Sequence, residues 1–299
     1  FSGYQLLEKL DETATSLVYR AIQESSGRRV IVKMLNTDNP SPSEIARFNR
    51  EVELIRDIDD DAVIKVYDVI SSDGKVALVL EDFDGVSLKK IATRAILPLE
   101  TFLKIGITLA RVLDKLHKKN IIHKDIKPHN ILFNENTGAL KLTDFGISAE
   151  LTHARDNITQ AALVDGTLAY MAPEQTGRMN RSVGYETDLY SLGVTFYELL
   201  TQRLPFDDVT DPVEYFHAHM ARRPVPPAEL NSSLPPVLSD IVMKLMAKES
   251  ADRYQSGLGL MADLQECLDQ LRRKGRIDRF EIAARDIGAT LKIPQKLFG

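Results

Sequence analysis

A single cysteine in 299 residues, Cys267, leaves no partner for an internal disulfide, so a reducing compartment fits the chain and a disulfide framework does not. Set among Leu264, Leu268 and Leu271, it reads as a core residue. No run approaches the ~18 unbroken apolar residues that a membrane span requires. The opening residues, from Phe1 to Glu8, lack the basic start and apolar stretch of a secretory leader. Basic residues are not in excess: 38 Lys+Arg against 43 Asp+Glu leave a net charge of −5. A nucleic-acid surface would carry the opposite imbalance, so no nucleic-acid partner is expected. Together these absences point to a cytoplasmic protein without a membrane segment. The first residue is Phe and not Met, which suggests a piece of something longer. What is present, 43% hydrophobic and 27% charged residues, is the composition of a globular chain with ample material for a core.

The first eighty residues read as strands around one helix. Leu17–Ala21 and Val30–Leu35 flank the turn cluster Ser25-Ser26-Gly27. Ser41-Pro42-Ser43-Glu44 has the form of a capping box with Pro at the first helical position. The helix that follows places Ile45, Phe48, Val52 and Ile55 on one face. Strands at Val63–Ile70 and Val76–Glu81 come next. After Gly85 the pattern turns helical. A long helix from Pro98 to about Asn120 carries Phe102, Ile105, Leu109, Val112, Leu113 and Leu116 at helical spacing. Short strands at Ile131–Phe133 and Leu140–Leu142 precede helices near 187–200, 212–220, 236–248 and 259–272. The Pro-rich stretch from Pro224 to Pro236 reads as a loop. A strand-rich front joined to a helix-rich back predicts two lobes with a cleft between them.

Chemistry concentrates in His123-Lys124-Asp125-Ile126-Lys127-Pro128-His129-Asn130, followed by Asp144-Phe145-Gly146. A polar turn that happens to hold charges would explain either motif alone, but not both in order. The pair resembles the catalytic loop and metal-binding motif of protein kinases, H-R-D-x-x-x-x-N and D-F-G. Val30-Ile31-Val32-Lys33 is similar to the family's V-A-x-K strand, and Gly166–Glu174 to the end of an activation segment closing on A-P-E. The resemblance runs over roughly residues 4–272. It implies an α+β, bilobal protein-kinase fold, with a small antiparallel N-lobe sheet and one helix, and a larger mainly helical C-lobe. The expected boundaries are an N-lobe over 1–82, a hinge at 82–86, a C-lobe over 87–272 and an extension or linker over 273–299.

The resemblance also implies roles. Asp125 would be the base that takes the substrate proton, and Lys127 the nearby cation. Asn130 and Asp144 would supply hard oxygen ligands to Mg²⁺. Lys33 would hold the α- and β-phosphates of ATP, paired with Glu51, which otherwise sits uneasily on the apolar helix face beside Ile55 and Ile58. Leu10, Val18 and Leu132 would sandwich adenine, Ile31 would face it, and backbone groups of Glu81 and Phe83, past the gatekeeper Leu80, would meet it. Asp188 is expected to brace the catalytic loop, and Arg253 to pair with Glu174. Lys127 and Thr167 match the serine/threonine branch. Thr159 is the first candidate phosphosite, with Ser148 and Thr152 behind it. His217 and His219 lie two apart on a helix and do not share a face, so zinc is not expected.

Glu174–Arg181 and the tail Ile293–Gly299 resemble large multidomain proteins in which such a kinase domain precedes an ATPase module and a sensor histidine kinase. Those attached domains and Ser/Thr-bearing protein substrates are the expected partners, in signal transduction. The sequence departs from the family at its glycine-rich loop: its three glycine positions fall on Asp11, Thr13 and Ser16. Glycine there lets backbone approach phosphate closely. Thr13, Thr15 and Ser16 offer hydroxyls in its place, either as phosphate donors or as phosphorylation sites. Lys124 stands for the arginine of H-R-D and lacks the bidentate fork. Three readings therefore stand: an active Ser/Thr protein kinase, a pseudokinase that binds nucleotide as a scaffold, and a small-molecule phosphotransferase.

Overall fold

The computed structural model describes residues 2–13, 16–35, 42–72, 75–145, 167–176 and 183–286, without the side chains at 42–44, 47, 50, 51, 54 and 167. The first sheet contains β1 (Tyr4–Glu12), β2 (Ser16–Gln23), β3 (Arg28–Leu35), β4 (Val66–Ser72) and β5 (Lys75–Glu81), with α1 (Pro42–Arg56) between β3 and β4. It is antiparallel in the order β1-β2-β3-β5-β4. The β2–β3 turn closes on Gly27, whose φ of +67° is open to glycine at little cost. Strand β3 alternates as a strand must. Val30 and Val32 pack with Ala21, Ala77 and Val79 on one face. Ile31 and Leu35 join Leu78, Leu80 and the α1 residues Phe48, Val52 and Ile55 on the other. Lys33 shares that second face, which looks into the cleft.

Two strands differ from expectation. β1 shows no apolar alternation in sequence because it is an edge strand, exposed from Gln5 to Glu12. The strand expected from Val63 begins at Val66, because the preceding backbone is taken by another partner. Ile64 N–H donates to Leu142 O at 2.9 Å and Leu142 N–H to Ala62 O at 2.7 Å. Residues 62–64 are thus tied to the second sheet, β6 (Val86–Ser87), β7 (Ile131–Phe133) and β8 (Leu140–Leu142).

The helical part comprises α2 (Leu88–Ala92), α3 (Leu99–Lys118), α4 (Tyr185–Thr201), α5 (Pro212–Ala221), α6 (Pro227–Leu230), α7 (Pro236–Leu245) and α8 (Gly257–Lys274). The six apolar α3 positions named from the sequence are all buried. Helix α4 is buried from Thr187 to Leu200 and forms the centre of this half. Where α3 crosses α8, a Cβ on Gly257 would lie 2.3 Å from Ala110 O and 2.9 Å from Asp114 N, so only glycine fits. The short α6 interrupts the stretch read as a loop, started by Pro227 at its first turn. Beyond α8 the chain folds back: Ala283 N–H donates to Asp263 Oδ2 at 2.6 Å, and Gln255 N–H to Asp286 Oδ2 at 2.6 Å. Among the described residues, no helix is long and apolar enough to cross a membrane.

Candidate active site

The loop between α3 and β7 is shaped by one buried carboxylate. Asp188 on α4, with no exposed surface, accepts the amide of His123 through Oδ2 and the amide of Lys124 through Oδ1, both at 2.8 Å. His117 Nε2 lies 2.9 Å from the same Oδ2. These bonds hold Lys124 at φ +68°, a left-handed conformation that costs a non-glycine residue energy. Gln175 Nε2 adds a bond to Lys124 O at 2.9 Å, tying the segment after Pro173 to this loop. His123 fixes the next turn. Its Nε2 lies 3.1 Å from Thr143 O, and Asp125 N–H donates to its Nδ1 at 3.3 Å. Only a neutral ring protonated at Nε2 satisfies both, and burial pushes its pKa down, in agreement.

That loop presents Asp125. Its Oδ2 accepts Asn130 Nδ2 at 2.8 Å and pairs with Lys127 Nζ at 3.1 Å. Asn130 Nδ2 also donates to Asp125 O at 2.8 Å. Asp144 follows β8 at φ +60° and meets Lys33 Nζ at 2.5 Å. Burial opposes ionisation of Asp144, yet the Lys33 charge and hydrogen bond, with Lys127 nearby, hold its carboxyl below the usual range. Val18 lies directly opposite Lys33 in the β2–β3 register, and Ile31 opposite Leu80. A cavity behind the Lys33–Asp144 pair is walled by Leu78, Leu80, Ile64 and Phe145. Leu10, Val18, Ile31 and Leu132 do not line it. Leu10 is 37% exposed on β1, and Leu132 sits mid-β7.

Other expected residues fall variously. Glu81 ends β5, and Phe83 lies in the connection to β6. Thr13 and Ser16 bond to each other across the β1–β2 turn, hydroxyl to hydroxyl at 3.1 Å, and Ser16 is only 2% exposed. The Glu51 side chain, Thr15, the candidate phosphosites Ser148, Thr152 and Thr159, and the tail motif lie outside the described residues. Arg253 pairs with Glu174 as expected, Nη1 to Oε1 at 2.7 Å and Nη2 to Oε2 at 2.9 Å. Sequence reasoning did not find His117, Gln175, or the contact in which Tyr170 donates to Glu198, itself paired with Lys89. No spacing signals these, because the partners lie far apart in the chain.

A protein kinase domain model matches residues 4–267. The chain is 36% identical over 265 residues to a probable serine/threonine-protein kinase of Clostridium perfringens, covering 88% of this chain and 38% of that protein. It is 34% identical to serine/threonine-protein kinase PknB of Mycolicibacterium smegmatis, covering 87% of this chain and 42% of that one. The chain thus spans about two fifths of the length of these relatives. In structure it is similar to Rad53 1–466 solved with AMP-PNP, at a TM-score of 0.71 and 20% identity, over 87% of this chain and 64% of that one. These likenesses join the residues built up above, and the chain belongs to the protein kinase domain family, in its Hanks-type serine/threonine branch.

Proposed function

We propose that this domain transfers the γ-phosphoryl group of ATP, with Mg²⁺, to serine or threonine hydroxyls of protein substrates. The observation that carries this reading is the convergence on Asp125. Its Oδ2 is oriented by Asn130 at 2.8 Å and backed by Lys127 at 3.1 Å, in the cleft that also holds the Lys33–Asp144 pair. In the step itself the substrate oxygen forms a bond to the γ-phosphorus as the bond to the β–γ bridging oxygen breaks. ADP leaves, and the hydroxyl proton passes to Asp125. Lys127 places positive charge beside the transferring group. Lys33 holds the ATP phosphates, with Glu51 as its partner. Leu10, Val18, Ile31 and Leu132 enclose adenine, and the backbone of Glu81 and Phe83 meets its edge.

The donor set suits Mg²⁺. Asn130 spends its NH₂ on Asp125, which leaves Oδ1, and Asp144 engages Lys33 through Oδ1, which leaves Oδ2. Two hard oxygens fit an ion that keeps water and phosphate oxygens for its other positions. When bound, the ion neutralises charge on the phosphates. The wider reading is a cytoplasmic signalling module attached to ATPase and sensor histidine kinase domains, supported by the resemblance of Glu174–Arg181 and Ile293–Gly299 to such proteins.

The turn after Asp11 favours a second reading, a scaffold that binds nucleotide without transfer, since no glycine stands between Asp11 and Val18. Phosphoamino-acid analysis of a protein substrate incubated with labelled ATP and Mg²⁺ separates the two. Label on serine or threonine supports the kinase. An ATP-dependent rise in Tm without label supports the scaffold.

A further inference from the structure

The connection from β5 to β6 carries two consecutive carboxylates, and each is tied to a different part of the fold. Glu81 Oε2 pairs with Lys141 Nζ on β8 at 2.8 Å and accepts Lys65 N–H at 3.2 Å. Glu81 N–H in turn donates to Lys65 O at 2.9 Å. The Lys141 ammonium also stands 5.8 Å from the centroid of the Phe83 ring, within cation–π reach. On the other side Asp82, with an 8% exposed carboxylate, accepts Arg20 Nε from β2 at 3.2 Å and Arg29 Nε from β3 at 3.1 Å.

Lys141 is the informative member. Strand alternation places it opposite in facing to Leu140 and Leu142, yet all three are buried. Its side chain is 8% exposed, a state that a lysine does not sustain without a partner. The charged partner is Glu81, with Val63 O a longer second acceptor at 3.5 Å, and the ion pair forms only while the connection stays where it is. A shift of residues 81–83 would leave a desolvated ammonium without its counter-charge, so the pair resists that shift. Lys141 also precedes Asp144 by three residues on the same strand end, so one short segment carries both this contact and the Lys33 partner.

We propose that Lys141 is a positioning residue for the nucleotide: with Glu81 on one side, and Asp82 held by Arg20 and Arg29 on the other, it forms a two-sided ionic clasp that presents the backbone of residues 81–83 to adenine. This rests on the functional reading above, in which those backbone groups meet ATP. The clasp acts on nucleotide affinity and not on the peptide side of the cleft.

The test is calorimetric binding of a non-hydrolysable ATP analogue to the full chain, alongside Tm. Lys141→Met is expected to weaken binding about tenfold, since only part of the cost of cutting the pair falls on the placement of residues 81–83. Because that variant leaves Glu81 unpaired and could fold poorly, Lys141→Met combined with Glu81→Leu is measured too. Apolar replacement of both partners restores Tm towards the parent, while binding stays weakened about fivefold or more because the clasp is still absent. Arg29→Gln, at a side chain that is 64% exposed, is expected to weaken binding two- to threefold. Binding within twofold of the parent in the folded double variant and in Arg29→Gln overturns the proposal. No binding by the parent overturns the functional reading, and the clasp as a nucleotide device with it.

Discussion

Replacing Arg253 by methionine is expected to unfold this domain more readily without touching its chemistry. Arg253 is 1% exposed, and all five N–H groups of its guanidinium are used. Two reach Glu174, and the others reach Ala247 O at 2.8 Å, Glu186 O at 3.0 Å and Lys248 O at 3.2 Å. Its Cζ lies 4.8 Å from the Tyr190 ring centroid. Burial alone would raise the Glu174 pKa, but Arg253 and the Thr187 hydroxyl at 2.8 Å hold it below the usual range. Methionine keeps most of the volume, so the cavity contribution is small. The loss comes from a buried carboxylate left with Thr187 as its side-chain partner, which costs about 3–5 kcal/mol. At about 2 °C per kcal/mol for a chain of this size, Tm should fall by ~6–10 °C. Urea unfolding followed by circular dichroism gives the free energy directly, and Arg253→Met with Glu174→Leu should recover most of it. A loss below about 1 kcal/mol in the single variant would refute the reasoning, because a buried charge cannot lose its partner so cheaply.

Three further outcomes follow from the same geometry. Gly257→Ala drives a methyl group to 2.3 Å from Ala110 O, so it should cost about 1–3 kcal/mol in urea unfolding by forcing α3 and α8 apart. Asp60, its carboxylate 1% exposed, pairs with Arg111 and Lys115. Burial there opposes ionisation, but those cations and the Ala62 amide lower its pKa to about 2. The folded pKa is depressed, so its stabilisation is present above the unfolded carboxylate pKa of about 4 and is lost as pH falls towards 2. Because Arg111 and Lys115 are 39% and 48% exposed, the Asp60→Asn penalty at pH 7 should be only about 1–2 kcal/mol, vanishing near pH 2. His219, buried beside Tyr190, Phe206 and Tyr215, is lowered to about 3 by burial and by Lys248. The unfolded chain takes up that proton below about pH 6.5, so stability should fall by about 1.4 kcal/mol per pH unit between there and pH 3. His219→Phe should flatten that slope in urea unfolding measured across pH.

The parts of this fold that read well from sequence are those where a local pattern meets a single environment. The α3 stripe from Phe102 to Leu116 shows its spacing because one face of that helix meets the core along its whole length. The strands Ile131–Phe133 and Leu140–Leu142 stand where they were expected, between clear turn residues. β1 offers no pattern to read, because an exposed edge strand has no buried face to impose alternation. Val63 reads as the start of β4 but bridges Leu142 of β8, because its apolar character says that it is buried, but not by which sheet. In the candidate site, Asp125, Lys127, Asn130 and Asp144 stand out in the sequence because two adjacent motifs hold them within twenty residues. What shapes them is legible only in part: the resemblance points to Asp188, which accepts the His123 and Lys124 amides across more than sixty residues, but nothing in the sequence signals Gln175, which reaches Lys124 across fifty-one. The Lys141–Glu81 contact likewise depends on a sheet crossing that no local pattern encodes.

Phosphoryl transfer itself is the most direct test. Single-turnover transfer from labelled ATP with Mg²⁺ should be compared in the parent, Asp125→Asn and Lys33→Met, with Tm confirming that each is folded. Asp125→Asn removes the proton acceptor while keeping the Asn130 contact, and should slow transfer by about 10²–10⁴-fold, the range for loss of a general base. Lys33→Met removes the cation beside Asp144 and should abolish detectable label. Label that appears in the parent and persists undiminished in folded Asp125→Asn would contradict the account.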